Sequence, residues 1–328
     1  MLATRMSDSS RPVVGVDLGG TSVKAALVSP ERAMLGRGQL PTDLRDQRSL
    51  MELLTRLVEQ VSGGADIAAA GFGLPSQVDQ RHGRVLNSVN IPLADLDFVA
   101  EMERRLGVPV AVDNDANVAC LAETRVGAAR GCSHVVMLTL GTGVGGGLVL
   151  DGKLYRGATG TGAELGHVTV DEDGPPCQGN CRNRGCLEVL ASATGIMRLA
   201  GDVADERPAG SFARARERGE DLDARFVIEQ AKGGDSDAVE ALRRAGRYLG
   251  IGLASFANIF NPEVILIGGG ASAAGELLIG PARTEMVRRG LPPTTRGVRV
   301  AIAELGNTAG VLGAAELALD LASDRQAA

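Results

Sequence analysis

The chain has 328 residues, 44% of them hydrophobic, which is enough for about two globular domains. Tryptophan is absent, aromatic residues make up 2%, and the formal net charge is -6, which together argue against a nucleic-acid partner. No apolar run reaches the roughly 18 to 20 residues needed to cross a bilayer, and residues 1–11 lack an apolar signal core, so we expect a cytoplasmic protein without a membrane partner.

The first predicted element is a strand, glycine turn and second strand over Val13–Val28. Glycine amides and a hydroxyl in its turn suit phosphate oxygens, and an acidic side chain beside them suits a magnesium ion. The alternative is an ordinary β-turn with polar residues and no ligand, since β-turns by themselves favour these residue types. The residues concerned are Asp17, Gly19, Gly20, Thr21 and Lys24.

The next segment alternates helices and strands. Apolar spacing predicts a helix over Ser49–Gly63, a strand over Ile67–Phe72 and a loop over Gly73–Asp79. A helix near Leu96–Leu106 and a strand over Val108–Val112 follow. This alternation predicts an α/β fold.

Polar residues cluster where the strand ending at Val112 meets the following helix. The sequence there reads Asp113-Asn114-Asp115-Ala-Asn117. One Asx residue is expected to cap the helix, which leaves at least one aspartate for another role. Because ligands bind at the carboxyl ends of strands in open α/β sheets, a carboxylate there can accept a proton from a substrate hydroxyl.

A second glycine-turned hairpin is predicted over His134–Leu150. Its glycines match the dinucleotide fingerprint G-x-G-x-x-G, but a strand and not a helix follows them, which argues against a dehydrogenase. Two such turns in one chain suggest two walls of a phosphate site. The residues concerned are Gly141, Thr142, Gly143, Gly145 and Gly146.

The stretch from Gly162 to Glu188 carries one histidine and three cysteines in a glycine- and proline-rich loop. His167, Cys177, Cys181 and Cys186 form a Cys₃His set typical of structural zinc. Buried cysteines of the ordinary kind are the alternative, and a disulfide is disfavoured in an intracellular protein. Glu164 and Glu188 bracket the cluster.

Beyond this loop the chain is predicted to be helical, with a polar surface stretch over Gly201–Asp223 and a long amphipathic helix over Ala238–Phe260 that ends before Pro262. A buried strand from Val264 then enters a glycine turn at Gly268, Gly269 and Gly270, where backbone can approach a ligand closely. A final alanine-rich helix, Ala309–Ala322, is expected to pack on the first domain.

These motifs together resemble the ROK family of sugar kinases and repressors, in order from about Val13 to the C-terminus. The resemblance implies a duplicated actin-like, ribonuclease-H-like α/β fold whose two domains flank a cleft for sugar and ATP. The implied smaller domain comprises residues 12–126 plus 308–328, and the larger one residues 127–307. It also implies ATP, Mg²⁺ and structural Zn²⁺, a neutral hexose substrate, and a homodimer or tetramer.

The resemblance assigns roles by motif. Asp115 resembles the general base, while Asn90, Asn114, Glu164, His167 and Glu188 resemble groups that grip the sugar hydroxyls. Asp17, Gly19, Gly20, Thr21 and Lys24 resemble the first phosphate turn, Gly141 to Gly146 the second, and Gly268 to Gly270 the adenosine side. His167 is then expected to serve zinc through one ring nitrogen and sugar through the other.

Two departures from the common family pattern bear on the site. Gln178-Gly-Asn180 separates the first two cysteines, where many members have one residue, and Pro75-Ser76 stands where Pro-Gly is usual. We therefore expect zinc to be bound by a ligand loop of different conformation, and we expect the sugar-side loop to affect substrate preference.

Glucokinase is the function that these residues favour, with kinases for fructose, mannose, N-acetylglucosamine or N-acetylmannosamine as alternatives. A sugar-responsive repressor is a second class, but such members carry an N-terminal helix-turn-helix, and only about a dozen residues precede the first strand here. A silent sugar-binding module is disfavoured by the two phosphate turns and Asp115.

Overall fold

The computed structural model describes residues 10–88 and 90–327, with side chains to residue 325. Within these residues no helix is long and apolar enough to span a membrane. The elements, in chain order, are β1 (Val13–Leu18), β2 (Ser22–Val28), β3 (Met34–Pro41), α1 (Gln47–Ser62), β4 (Ala70–Leu74), β5 (Ser76–Asp79), β6 (Arg84–Ser88), α2 (Phe98–Leu106), β7 (Val110–Asn114), α3 (Asp115–Arg125), β8 (Val135–Leu140), β9 (Val144–Leu150), β10 (Lys153–Leu154), α4 (Leu187–Ala191), α5 (Ala193–Glu206), α6 (Ser211–Glu217), α7 (Ala224–Lys232), α8 (Ser236–Phe260), β11 (Val264–Gly268), α9 (Glu276–Arg289), α10 (Pro292–Thr295), β12 (Arg299–Ile302) and α11 (Ala309–Ala327).

The chain forms two compact units. Unit 1 contains the described residues up to Arg130, the segment Leu154–Ala163, and the chain from Asn307 onward. Unit 2 contains Gly131–Lys153 and Glu164–Gly306. The domain boundaries implied by the family resemblance include the segment Leu154–Ala163 in the larger domain, whereas this segment packs with unit 1.

Unit 1 is built on a five-stranded sheet with the order β3-β2-β1-β4-β7. Strands β1 to β3 are antiparallel, whereas β1, β4 and β7 run parallel. Apolar side chains of α1 and α2 cover one face, and α11 covers the other. The predicted packing of the last helix on the first domain is therefore confirmed.

Helix α11 lies unusually close to this sheet. A methyl group on Gly71 of β4 would lie 1.8 Å from the carbonyl oxygen of Ala314 in α11. Only glycine allows this approach, because any side chain would displace the helix backbone. The alanine-rich composition of α11 matches the narrow space that it occupies.

Unit 2 repeats the plan with the sheet order β10-β9-β8-β11-β12. Its hairpin β8–β9 is antiparallel, and β8, β11 and β12 are parallel. Helix α8 begins after Asp235, whose carboxylate accepts from the amides of Asp237 and Ala238, and ends at Asn261 in a left-handed conformation before Pro262. The repeat of one sheet topology confirms the predicted duplication.

Two stretches without predicted elements of their own, the loop over Gly73–Asp79 and the polar stretch over Gly201–Asp223, contain regular structure. The loop predicted over Gly73–Asp79 includes β5, which pairs with β6 in a separate two-stranded sheet. The stretch predicted as polar surface over Gly201–Asp223 includes the end of α5 and all of α6, where Phe212 is buried. The loop prediction over Gly73–Asp79 was wrong because a four-residue strand with Val78 as its buried apolar residue gives little periodic signal. The polar stretch over Gly201–Asp223 lies mostly at the surface of a helical part of the chain, as predicted, with buried side chains on α6.

Candidate active site

The carboxyl ends of the parallel strands in unit 1 bring the first group of predicted site residues together. Asp17 of β1 is in register with Gly73 of β4, which is in register with Asp113 of β7. The turn after β1 and the polar junction after β7 therefore lie at one edge of the sheet.

The first glycine turn connects β1 to β2. The amide of Gly19 donates to the carbonyl oxygen of Ser22 at 3.0 Å, and the Thr42 hydroxyl donates to the carbonyl oxygen of Gly19 at 2.6 Å. Gly20 and Thr21 are exposed at the tip. Lys24 lies opposite Asp17 in the hairpin register, and its ammonium is 3.5 Å from the carbonyl oxygen of Asn307.

The three polar residues where β7 meets α3, Asp113, Asn114 and Asp115, have different environments. Asn114 is the N-cap of α3, because its side-chain oxygen accepts from the amides of Ala116 and Asn117 at 2.9 and 3.3 Å. Its amide nitrogen is 3.4 Å from the carbonyl oxygen of Ser76. The capping residue expected from the sequence is thus Asn114 itself.

Asp113 is the buried member of the group. Its carboxylate is 1% exposed and accepts from Arg156 Nε at 2.6 Å and from Asn117 Nδ2 at 2.8 Å. Arg156 belongs to the segment Leu154–Ala163. The sequence analysis did not find this ion pair, because no local pattern links two residues that are 43 positions apart.

Asp115 begins α3 and carries the carboxylate suited to proton transfer. One of its oxygens accepts from the amide of Ala116 at 2.9 Å. Burial, partly offset by the Ala116 hydrogen bond and reinforced by the negative charge of Asp17, raises the pKa of Asp115 to about 6. Burial also raises the pKa of Asp17, and the charge of Lys24 lowers it.

Asn90 lies two residues beyond β6 and is exposed. The residue before it, Val89, lies outside the described ranges. The role of Asn90 in binding a sugar stays a prediction.

The corresponding edge of unit 2 carries the other two glycine turns. The second turn spans Gly141 to Gly143, whereas Gly145 and Gly146 lie within β9 and pair with β8. Gly268 at the end of β11 is in register with Thr139 of β8, so the second and third turns lie at the same sheet edge. Gly269 has φ 79°, a conformation that favours glycine.

The four predicted zinc ligands converge in unit 2. The ligand atoms of His167, Cys177, Cys181 and Cys186 all lie within 4.8 Å of one another. The distance from Cys177 Sγ to His167 Nδ1 is 3.5 Å, which is close to the spacing of two ligands on one tetrahedral zinc ion. The soft donor set and this spacing fit zinc.

Short backbone contacts draw the ligand loop around this cluster. The amide of Cys177 donates to the carbonyl oxygen of Asn183 at 2.9 Å, and the amide of Val170 donates to that of Gly185 at 2.8 Å. Gly185 has φ 60°, and a methyl group there would lie 1.5 Å from the carbonyl oxygen of Asp171. The loop thus closes without regular structure, as its glycine and proline content predicts.

The two ring nitrogens of His167 face different neighbours. Nδ1 points to the thiol cluster, whereas Nε2 is 3.9 Å from a carboxylate oxygen of Glu164. Partial desolvation and the nearby Glu188 raise the pKa of Glu164, and the imidazole lowers it. A metal on Nδ1 would fix the tautomer that carries its proton on Nε2.

Glu188 lies two residues after Cys186, in the first turn of α4. One carboxylate oxygen accepts from the amide of Val144 at 2.9 Å, and the other is 3.9 Å from Cys177 Sγ. Glu188 therefore contacts both the second glycine turn and the thiol cluster.

A family model described as the ROK family matches residues 13–321. The chain belongs to the ROK family. Among its ROK relatives, a glucokinase of Halalkalibacterium halodurans is 38% identical over 93% of this chain and 94% of that protein. A glucokinase of Thermotoga maritima is also 38% identical, over 93% of this chain and 96% of that protein.

A solved ROK structure has the same fold. The crystal structure of a ROK family glucokinase from Streptomyces griseus, in complex with glucose and AMPPNP, aligns with a TM-score of 0.79 at 35% identity. The alignment covers 94% of this chain and 99% of that chain. The predicted family and the predicted duplicated actin-like α/β fold are confirmed.

Proposed function

We propose that this ROK protein is an ATP-dependent glucokinase that phosphorylates the 6-hydroxyl of glucose, with Asp115 as the general base. The observation that carries the proposal is the carboxylate of Asp115, which stands at the carboxyl edge of the unit 1 sheet with its pKa raised to about 6. The glucokinases at 38% identity support the same reaction.

The raised pKa of Asp115 suits a base for a sugar hydroxyl. A carboxylate with a pKa near 6 is ionised at neutral pH and holds a proton more strongly than an exposed aspartate. Phosphoryl transfer needs little covalent help from protein, so the main task of Asp115 is to orient the hydroxyl and receive its proton.

The glycine turns supply the phosphate side of the proposed reaction. The backbone amides of the first turn, the hydroxyl of Thr21 and the ammonium of Lys24 suit the anionic oxygens of ATP. The second turn adds the amides of Thr142 and Gly143, since the Gly141 amide donates to the carbonyl oxygen of Gly143. Gly268 to Gly270 are assigned to adenosine. Asp17 is the oxygen ligand that would hold Mg²⁺, which neutralises charge on the transferred phosphoryl group.

The sugar side combines amides, carboxylates and one imidazole. The side chains that the family resemblance assigns to sugar, Asn90, Asn114, Glu164, His167 and Glu188, offer donors and acceptors for several hydroxyls. Only the amide nitrogen of Asn114 is assigned to sugar, since its oxygen caps α3. The zinc ion held by His167 and the three cysteines would fix the imidazole that donates from Nε2.

A kinase for another hexose is the second candidate, because the sugar-side loop departs from the common pattern. Ser76 in Pro75-Ser76 is 6% exposed, and its hydroxyl is 2.7 Å from that of Ser88. This pair couples the loop to β6, shortly before Asn90.

The experiment is a coupled assay of the zinc-loaded protein with ATP and Mg²⁺ against glucose, mannose, fructose, N-acetylglucosamine and N-acetylmannosamine. We expect the highest kcat/KM with glucose and glucose 6-phosphate as the product. A higher kcat/KM with another sugar would move the assignment to that sugar, and phosphorylation of none would contradict a kinase.

Homodimer formation and a cytoplasmic location stay predictions. Light scattering of the purified protein tests the first, since it gives the molar mass without a standard. A mass twice the 33.8 kDa of the chain is the expected result.

A further inference from the structure

Two side chains connect the zinc loop to the second glycine turn of unit 2. Gln178, next to Cys177, donates from Nε2 to the carbonyl oxygen of Thr142 at 3.2 Å. Glu188, two residues after Cys186, accepts from the amide of Val144 at 2.9 Å. The two bonds are to the residues on either side of Gly143, so the backbone around Gly143 is held by side chains within two residues of a metal ligand.

The turn fits closely between these side chains. A methyl group on Gly143 would lie 2.3 Å from a carboxylate oxygen of Glu188 and 3.4 Å from Gln178 Nε2. The carbonyl oxygen of Thr142 also accepts from the Thr194 hydroxyl at 2.8 Å. Gln178 is therefore one of three side chains, with Glu188 and Thr194, that lie against the backbone of the turn.

Gln178 belongs to the part of the zinc loop in which this chain departs from the common family pattern. It opens the spacer Gln178-Gly179-Asn180 between the first two cysteines. Gly179 has φ 62°, so the spacer turns back sharply after Gln178. Gln178 is thus the spacer side chain that lies against the second glycine turn.

We propose that Gln178 is a positioning residue that couples zinc binding to nucleotide binding. The inference rests on the proposed function, which assigns the second turn to ATP. Zinc orders the loop around Cys177, and the ordered loop holds Gln178 against Thr142. A nucleotide that needs the same arrangement of the turn then binds a site already ordered, so each ligand raises the affinity of the other.

The test compares wild type with Gln178→Ala, Gln178→Glu and Asn180→Ala. Gln178→Glu keeps the size of the side chain but cannot donate to a carbonyl oxygen. Asn180 is exposed in the same spacer, so Asn180→Ala is the matched control. The binding of AMPPNP with Mg²⁺ is measured by calorimetry on zinc-loaded protein and after chelation, and the zinc content of each sample is measured.

We expect chelation to weaken AMPPNP binding by wild type and by Asn180→Ala about tenfold, within the range usual for coupled sites. Zinc-loaded Gln178→Ala and Gln178→Glu should bind AMPPNP severalfold more weakly than zinc-loaded wild type while retaining their zinc, because only the Glu188 bond to Val144 then connects the loop to the turn. Wild-type affinity in both Gln178 variants would overturn the inference.

A second measurement needs only folded, loaded protein, which matters if the chelated chain unfolds. By reciprocity, AMPPNP should slow zinc release to a chromogenic chelator in wild type and Asn180→Ala, and slow it less in the Gln178 variants, which keep only the Glu188 connection. Equal slowing in all four proteins would overturn the role of Gln178 and leave the proposed kinase intact. Absence of AMPPNP binding by loaded wild type would overturn both.

Discussion

Among single residues, Asp115 determines how the proposed reaction depends on pH. The base must be ionised, and its pKa is raised to about 6 by burial and by the charge of Asp17. We therefore expect kcat/KM for glucose to rise as pH increases through about 6 and to level off above 7. Initial rates between pH 5 and 8 at constant ionic strength check this, and an acid limb near pH 4 would contradict the environment described for Asp115.

The same residue has a consequence for stability. An unfolded aspartate loses its proton near pH 3.8, whereas folded Asp115 loses it near 6, so the folded state binds more protons between these values. The free energy of unfolding should therefore fall as pH rises from about 4 to 6. Above pH 7 the ionised carboxylate costs at most about 3 kcal/mol.

Asp115→Asn removes this cost. We expect the variant to be more stable than wild type at pH 8, by at most about 3 kcal/mol, and similar to it at pH 4. Urea unfolding at both pH values gives the difference. Equal stability at pH 8 would show that the folded state does not disfavour the carboxylate.

Arg156 is the residue whose importance the sequence does not reveal. Arg156→Gln leaves Asp113 buried without its cation, and since Arg156 is 30% exposed we expect a loss of about 1–3 kcal/mol and not the larger loss of a fully buried pair. Urea unfolding measures it. Asp113→Asn combined with Arg156→Gln should recover part of the loss, and a double variant no more stable than Arg156→Gln would indicate that packing and not charge dominates.

At the scale of elements, the zinc loop is the feature whose stability depends on a ligand. Cys181→Ala removes one of four ligands, so we expect loss of bound zinc and a lower affinity for glucose, because His167 is itself a ligand and Glu188 lies in α4 two residues after Cys186. Metal analysis and glucose calorimetry check both. The control is Cys132→Ser, which changes a cysteine outside the cluster and should retain zinc. Absence of zinc from wild type would contradict the metal site.

The elements that could be predicted are those with a local signal. Apolar spacing predicted α1 and α8, and glycines between apolar runs predicted both hairpins. Proline after Asn261 marked the end of α8. The short strand β5 could not be predicted, because it depends on pairing with β6 and not on a pattern of its own. Helix α6 lies in the part of the chain predicted to be helical, but the sequence did not indicate its bounds.

The candidate site divides in the same way. The four zinc ligands could be predicted from their residue types and spacing, and the structure brings all four together. The distinction between Asn114 as a cap, Asp113 as a buried ion pair and Asp115 as a carboxylate with a raised pKa needed the structure, because all three residue types suit a helix start. The bond from Gln178 to Thr142 likewise joins residues 36 positions apart.

At the scale of the whole molecule, duplication explains why one kind of turn recurs. Each unit has an antiparallel hairpin followed by two parallel strands, so each sheet presents a glycine turn and a strand end at the same edge. The sequence indicated this repeat through its two glycine hairpins. It did not indicate that the segment Leu154–Ala163 returns to unit 1, since the return is fixed by tertiary contacts.

The central claim is that Asp115 accepts the proton of a glucose hydroxyl during transfer from ATP. The most direct measurement is turnover and glucose binding of Asp115→Asn beside wild type, at saturating ATP and Mg²⁺. We predict a fall in kcat of about 10²–10⁴-fold with the dissociation constant for glucose nearly unchanged. A kcat within a fewfold of wild type would contradict the account.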